Sequence, residues 1–446
     1  MKPLGFAKSQ AYWYRFAWGT FMGFLGGLFA FIYIIPVEKG IQLLWHSEAE
    51  KIAPFSGSFR TVTIMTIAGL LVGLVYKLRP TEEVDVFGAI PEGTMDLRCV
   101  FGAVLASIVS LIGGFSLGPE APTGILAGGF GVWLSNKQGL PKEIRRTNFL
   151  SAVAGAFSGL FTAPYAVVAM LLELRHKQSG FYYGTLAIGA VASMLGFAIF
   201  YALYGNRFSP TLRLLDLPPY ELRVWHLILG IGLGVLAVPF ALLFAILMKR
   251  FHHLMAPLRD KHFLRCGGMG LLLGLLAMAM PTTLLLGSEG LFKVIEEQAE
   301  LGIGFLIAAA LLKIVATTAA LGAGFIGGPI FPLFFTGGTI GLVLSKIIPA
   351  IPLELSVGCL MAAVPGAIVP FPLTLALIVL LITSTPVTEA IPIMTATLTA
   401  HLLLKGFILG GEPGPMGQRL RDIDAELQEQ ADPEYGLKPE TAQQTH

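Results

Sequence analysis

Gly114-Phe115-Ser116-Leu117-Gly118-Pro119-Glu120-Ala121-Pro122 spells G-F-x-x-G-P-x-x-P. The same pattern returns 210 positions later as Gly324-Phe325-Ile326-Gly327-Gly328-Pro329-Ile330-Phe331-Pro332. Small residues follow both copies: Gly128, Gly129 and Gly131 after the first, Gly337, Gly338 and Gly341 after the second. A further pair lies at nearly the same offset. Pro164-Tyr165-Ala166-Val167-Val168 opens an apolar segment running to Glu173, and Pro372-Leu373-Thr374-Leu375-Ala376 opens another 208 positions later. Two correspondences at nearly one offset predict two related halves, residues 16–206 and 220–410. Convergence in a glycine-rich chain is the alternative.

The surroundings of these motifs decide the class of protein. Of 446 residues, 54% are apolar and only 13% charged, against about 25% charged in a soluble domain. So little charge cannot cover a water-facing surface, which argues against a cytosolic enzyme, and the hydrophobicity excludes intrinsic disorder. Eight uncharged runs exceed 20 residues: 16–37, 99–119, 147–172, 178–206, 227–248, 266–288, 314–345 and 355–388. About 20 apolar residues cross the hydrocarbon core as a helix, and the shorter runs 61–76 and 121–136 add candidates. The prediction is an all-α polytopic membrane protein. Residues 1–410 form its transmembrane domain and 411–446 a short cytoplasmic tail, in which 422–430 is a candidate surface helix.

A net charge of +2 leaves no electrostatic footprint for nucleic acid. Cys99, Cys266 and Cys359 are far apart in apolar surroundings. They are expected to be packing residues, with no disulfide framework and no metal site. No cleavable signal peptide is expected either. Basic residues gather in connections: Lys137, Lys142, Arg145 and Arg146; Arg175, His176 and Lys177; Lys249, Arg250, Arg259, Lys261 and Arg265; and Lys2, Lys8 and Arg15 near the start. The positive-inside rule places these connections, and both termini, in the cytoplasm.

Gly/Pro-interrupted segments at matching places in two halves point to a transport site at the repeat interface. Backbone freed at membrane depth is tolerated where it is buried or lines a cavity. Proline suits the first helical turn, where its missing N–H costs nothing. A half-helix starting mid-membrane offers free N–H groups and the positive end of its dipole to an anion. Each such end contributes roughly 0.3–2 kcal/mol, weak enough for release and hence for rapid passage.

Glu120 stands in the first turn after Gly118-Pro119, with no charge for 21 residues before it or 16 after it. An acid inside an apolar segment is a functional candidate by default. Its carboxylate is itself an anion, able to occupy a half-helix N-terminus and block a permeating one. Protonation would release it, so gating and proton transfer could share one residue. The structural alternative is a helix-start glutamate stabilised by the dipole. Lys313 either draws anions towards a vestibule or snorkels to an interface. Glu173 is expected to pair with Arg175 or Lys177, with a proton relay as the second reading. The tryptophans at 13, 18, 45, 133 and 225 read as interfacial or lipid-facing anchors, His252 and His253 as solvated, and Gly124 with Gly128 as a helix-packing pair. Gly114–Gly118 also fits G-x-S-x-G, the nucleophile-elbow pattern, which would make Ser116 the nucleophile of an intramembrane hydrolase. The strand before it and the histidine it needs are both missing from the pattern, so no enzyme is expected.

These motifs resemble the CLC family of chloride channels and proton/anion antiporters. The family's G-(K/R)-E-G-P corresponds to Gly118-Pro119-Glu120-Ala121-Pro122, and its G-S-G-I-P-E, weakened, to Phe87-Gly88-Ala89-Ile90-Pro91-Glu92. Its G-x-F-x-P corresponds to Gly328-Pro329-Ile330-Phe331-Pro332. The resemblance covers about residues 15–410. It implies an inverted-repeat fold of broken, tilted helices and a homodimer in which each subunit has its own pathway. It implies chloride or a related small anion as substrate, protons as possible co-substrate and Glu120 as the gating glutamate. The anion would be held by amides near Gly88, Ala89 and Ile90, by Gly118, and by Ile330 and Phe331. A voltage-gated channel and an antiporter are both within the family's range, as is transport of a larger or non-halide anion on the same fold. No cofactor is implied, and the compact form suggests a bacterial inner membrane. Gly88 stands where the family has a serine, Pro329 where it often offers an N–H, Leu174 where the antiporters have an inner glutamate, and Pro415 near the place of its central tyrosine. These departures put chloride selectivity and the usual proton route in question.

Overall fold

The computed structural model describes residues 10–46, 51–81, 86–89, 93–174, 179–205, 214, 215 and 217–409. These are helical apart from short connections and one isolated antiparallel bridge, Gly118 to Gly328. The first half runs α1 (Gln10–Trp45), α2 (Phe59–Leu78), α3 (Val86–Ala89), α4 (Leu97–Ile112), α5 (Glu120–Lys137), α6 (Lys142–Phe161), α7 (Pro164–Glu173) and α8 (Ser179–Leu203). The second runs α9 (Val224–Met255), α10 (Gly268–Ala279), α11 (Ser288–Glu296), α12 (Ile303–Gly322), α13 (Ile330–Ile347), α14 (Leu353–Ile368), α15 (Pro372–Ile382) and α16 (Ala390–Leu409). A π-helical turn, Phe263–Gly267, leads into α10.

Six helices among the described residues are long and apolar enough to cross a membrane. This corrects a one-run, one-span reading of the eight uncharged stretches. The run 147–172 is two helices, broken where Thr162 takes a left-handed φ of 47° and Pro164 starts α7. The run 314–345 holds the end of α12, a break and most of α13, and 355–388 holds α14 and α15. Charge counting cannot see such breaks, because glycine and proline interrupt a helix without adding charge. The same counting misses α16, whose uncharged part is bounded by Glu389 and Lys405.

The breaks in the two halves have matching backbones. Ala163 before α7 has φ −132° and ψ 70°, and Phe371 before α15 has φ −134° and ψ 71°. In each case proline then occupies the start of the helix, where its fixed φ is already helical. Helices α1, α6 and α8 cross at glycines: a Cβ on Gly155 would lie 2.0 Å from the Gly23 carbonyl oxygen, and one on Gly196 would lie 2.3 Å from the Gly155 Cα. Such close backbone approach is how helices gain packing energy inside a bilayer.

The start of α1 lies beside the start of α6, where Arg15 and Glu143 form an ion pair at 3.1 Å. Gly93, between α3 and α4, packs on Arg146 of α6, Gly102 of α4 packs on Pro80 and Thr81 just after α2, and Gly73 near the end of α2 packs on His262 beside the π-turn. The start of α1, the α5–α6 connection and the α9–α10 connection therefore share one face, called here the Arg15 face. Lys2, Lys8, Arg175, His176, Lys177 and the whole 411–446 tail, including 422–430 and Pro415, lie outside the described residues, as does Ile90.

Candidate functional site

The site is built where the two broken segments meet. Helix α4 ends at Ile112, and Gly114, at φ 87°, turns the chain back; Gly324, at φ 85°, does the same after α12. Positive φ is open to glycine at little steric cost. The Phe115 and Phe325 rings then meet at a tilt of 31° with centroids 3.9 Å apart. The Gly118 N–H donates to the Gly328 carbonyl and the Gly328 N–H to the Gly118 carbonyl, both at 2.7 Å. Pro119 and Pro329 follow as the residues preceding α5 and α13. Each segment thus satisfies its buried backbone on the other, as membrane depth requires.

Glu120, the first residue of α5, is fully buried and reaches across this junction. Its Oε1 accepts the backbone N–H of Ile330, the first residue of α13, at 2.8 Å. Its Oε2 has no hydrogen-bond partner. A carboxylate therefore sits on the electropositive start of a half-helix contributed by the other half of the chain. The space it fills is opened by two glycines: a Cβ on Gly118 would lie 2.0 Å from Oε2, and one on Gly328 would lie 2.0 Å from Oε1. Ile330 and Phe331 are both buried, and the Phe331 ring stacks on Phe161 at 5.9 Å. Helix α3, carrying Gly88 and Ala89, lies beside α5, where its first residue, Val86, packs against Gly124.

Several expectations change in the folded chain. Gly118, expected among the anion's amide donors, spends its N–H on Gly328. Glu173 caps α15: it accepts from the N–H groups of Leu373 (2.7 Å) and Thr374 (3.0 Å) and from the Thr374 hydroxyl (2.7 Å). Its expected partners Arg175 and Lys177 are outside the described residues. Leu174, where the family's inner glutamate would stand, is buried.

Lys313 neither faces a vestibule nor snorkels. It is fully buried, and its ammonium donates to the carbonyls of Leu284 and Leu285 (2.8 Å each) and Thr282 (3.2 Å), 5.3 Å from the Phe335 centroid. Trp45 is no lipid anchor: it is fully buried and its indole donates to the Ile112 carbonyl at 2.7 Å. Ser116 shares a 2.9 Å hydrogen bond with Thr317, so its hydroxyl is engaged with another hydroxyl. No sequence signal marked Gly328 as the wall of the Glu120 site or Thr374 as a capping partner, beyond the repeat offset that aligned their segments.

A multi-span helical protein with two broken segments meeting at its centre is the architecture of the CLC transporters. The chain belongs to that family: residues 64–405 match the model for the voltage gated chloride channel family. Among curated relatives, "Putative ion-transport protein YfeO" of Escherichia coli O7:K1 is 26% identical over 309 residues, 68% of this chain and 71% of that protein. Its counterpart in Escherichia fergusonii matches to the same extent, 26% over 309 residues. Among solved structures, a slow cyanobacterial Cl−/H+ antiporter superposes with a TM-score of 0.72 at 20% identity, over 93% of this chain and 99% of that one. A CLC-type fluoride/proton antiporter superposes at 0.70 with 17% identity, over 88% and 95% of the two chains. At these identities the superpositions establish the fold.

Proposed function

We propose that this chain carries chloride or a related small anion across a membrane, through a passage that the Glu120 carboxylate plugs. The reading rests on one observation: Glu120 holds the Ile330 N–H at 2.8 Å, with its second oxygen unpartnered. A permeating anion would take the carboxylate's place on Ile330, with Phe331 and the Gly88–Ile90 segment completing its surroundings. Protonation weakens a carboxylate's hold on an N–H, so anion flux rises as pH falls, and a proton can move with the gate. Residues 16–206 and 220–410 act as the two inverted halves, and Glu173 is held as a helix cap rather than as the inner proton acceptor. Two subunits with separate pathways, cytoplasmic termini and a bacterial inner membrane complete the reading, on the strength of the family and the positive-inside rule.

The test is anion efflux from liposomes carrying the purified protein, with proton uptake followed in parallel. Glu120→Gln, a neutral mimic of the protonated gate, should give flux at neutral pH at least as large as the native protein's and independent of pH. Folded protein that passes no anion under any gradient would sink the proposal. Because Gly88 lacks a hydroxyl and Pro329 an N–H, a larger or non-halide anion is the second reading, and competition among chloride, fluoride, nitrate and larger oxyanions separates the two.

A further inference from the structure

Arg265 has no place in the site just described, yet it lies against the second break. It sits in the π-helical turn Phe263–Gly267, and such turns, rare in proteins, recur at functional sites. The turn is locked to the segment after α12, where the Cys266 thiol reaches the Ala323 carbonyl at 3.6 Å. The next residue is Gly324, and a Cβ there would lie 3.0 Å from Arg265 Nη2. The guanidinium rests over the Tyr76 ring, 4.9 Å from its centroid. Tyr76 in turn donates its hydroxyl to the Gly324 carbonyl at 2.8 Å. His262, one turn before Arg265, stacks on the same ring at 5.7 Å.

The Cys266 thiol lies beside the Arg265 guanidinium, but it does not satisfy all the donors of this cluster. Arg265 Nε and Nη2 are buried and have no hydrogen-bond partner, and neither has the buried His262 Nδ1. Among the described residues no carboxylate forms an ion pair with Arg265. Buried N–H groups of a guanidinium are costly to leave without an acceptor, and each such group calls for an explanation. The other charges on this connection are Arg259, Asp260 and Lys261, of which Asp260 is the one acid and forms no ion pair with Arg265, and Lys77 lies over the Phe263 ring at 5.7 Å. The setting is a fork of donors over an aromatic ring, on the Arg15 face and in contact with the loop that leads to Ile330.

We propose that Arg265, with Tyr76 and His262 around it, is a docking site for a small monovalent anion at the Arg15-face mouth of the passage. The site deepens the transport reading and rests on it for its role, although not for its occupancy. It concentrates the anion beside Gly324 before the step onto Ile330, and the guanidinium fork supplies the directed donors that a point charge lacks.

The experiment has a binding arm and a flux arm. Bromide is titrated calorimetrically into the detergent-purified protein, and crystals soaked in bromide are measured at its absorption edge. An anomalous peak within hydrogen-bond distance of Arg265 Nε or Nη2 is expected, absent from Arg265→Gln. In liposomes with chloride varied on one side at a time, Arg265→Gln should raise the half-saturating chloride concentration several-fold from the Arg15 face and leave the opposite face unchanged. Arg265→Lys, which keeps the charge and loses the fork, should stay raised. Native half-saturation in Arg265→Lys would overturn docking in favour of diffuse attraction. A lipid phosphate in place of bromide, or a peak with no heat in the titration, would overturn it as well. Bromide bound at Arg265 in a protein that passes no anion would sink the transport reading alone. Normal flux with no peak and unchanged half-saturation in Arg265→Gln would sink the Arg265 site alone.

Discussion

The Glu120 carboxylate occupies the space that a side chain on Gly328 would need, with Oε1 lying 2.0 Å from the position of a Gly328 Cβ. The two residues are 208 positions apart in sequence and belong to different halves of the chain. On the proposed reading the glycine is therefore as much a part of the gate as the acid. Its missing side chain lets the carboxylate reach the Ile330 N–H, a charge-assisted bond of the kind worth about 1.5–3 kcal/mol.

Gly328→Ala should displace that carboxylate without removing it. Anion efflux is expected to rise towards that of Glu120→Gln, and the double variant Glu120→Gln/Gly328→Ala should release anion no faster than Glu120→Gln alone. Additive effects in the efflux assay would mean that the glycine acts independently of the acid.

Glu173→Ala leaves the Leu373 and Thr374 N–H groups at the start of α15 without their acceptor. A cap of this kind is worth about 0.5–2 kcal/mol. The expected result is a lowered thermal midpoint in detergent, with Glu173→Gln, which keeps one acceptor oxygen, falling between. A proton relay would predict the reverse emphasis: native stability and lost proton uptake.

Lys313→Met keeps the length of the side chain and removes the donor to three carbonyls. Leu285 also donates its N–H to the Gly114 carbonyl at 2.9 Å, so the loss reaches the segment that leads to Glu120. Removal of a buried charge offsets part of the cost, leaving an expected destabilisation of about 1–3 kcal/mol. Thermal unfolding measures it, and a variant as stable as the native protein would show that the three bonds only offset the charge's desolvation.

Gly155→Leu should be the most damaging of these changes, because its Cβ would fall 2.0 Å from the Gly23 carbonyl oxygen, on backbone that cannot swing aside. Size-exclusion chromatography after mild solubilisation should show aggregated or absent protein. Recovery of a monodisperse peak would contradict the packing of α1, α6 and α8.

The amino-acid sequence by itself determined the class of protein, the places where its helices break and the presence of one acid at one break. Those are local properties: hydropathy over about 20 residues, the backbone freedom of Gly114 and Gly324, the fixed φ of Pro164 and Pro372. It also carried the repeat offset of 210, which aligned Gly118 with Gly328 before either had a known neighbour. Tertiary structure alone decided what each polar group meets. Glu120 meets an amide of α13, Glu173 meets the start of α15, Lys313 meets three carbonyls and Trp45 meets Ile112. Each of these contacts joins segments at least 28 residues apart, and the two glutamate contacts span 210 and 201. A polar side chain inside a membrane must find a partner, but its own segment does not say which. The partner is set by how helices from the two halves cross, and that depends on glycine-to-backbone contacts scattered along the whole chain.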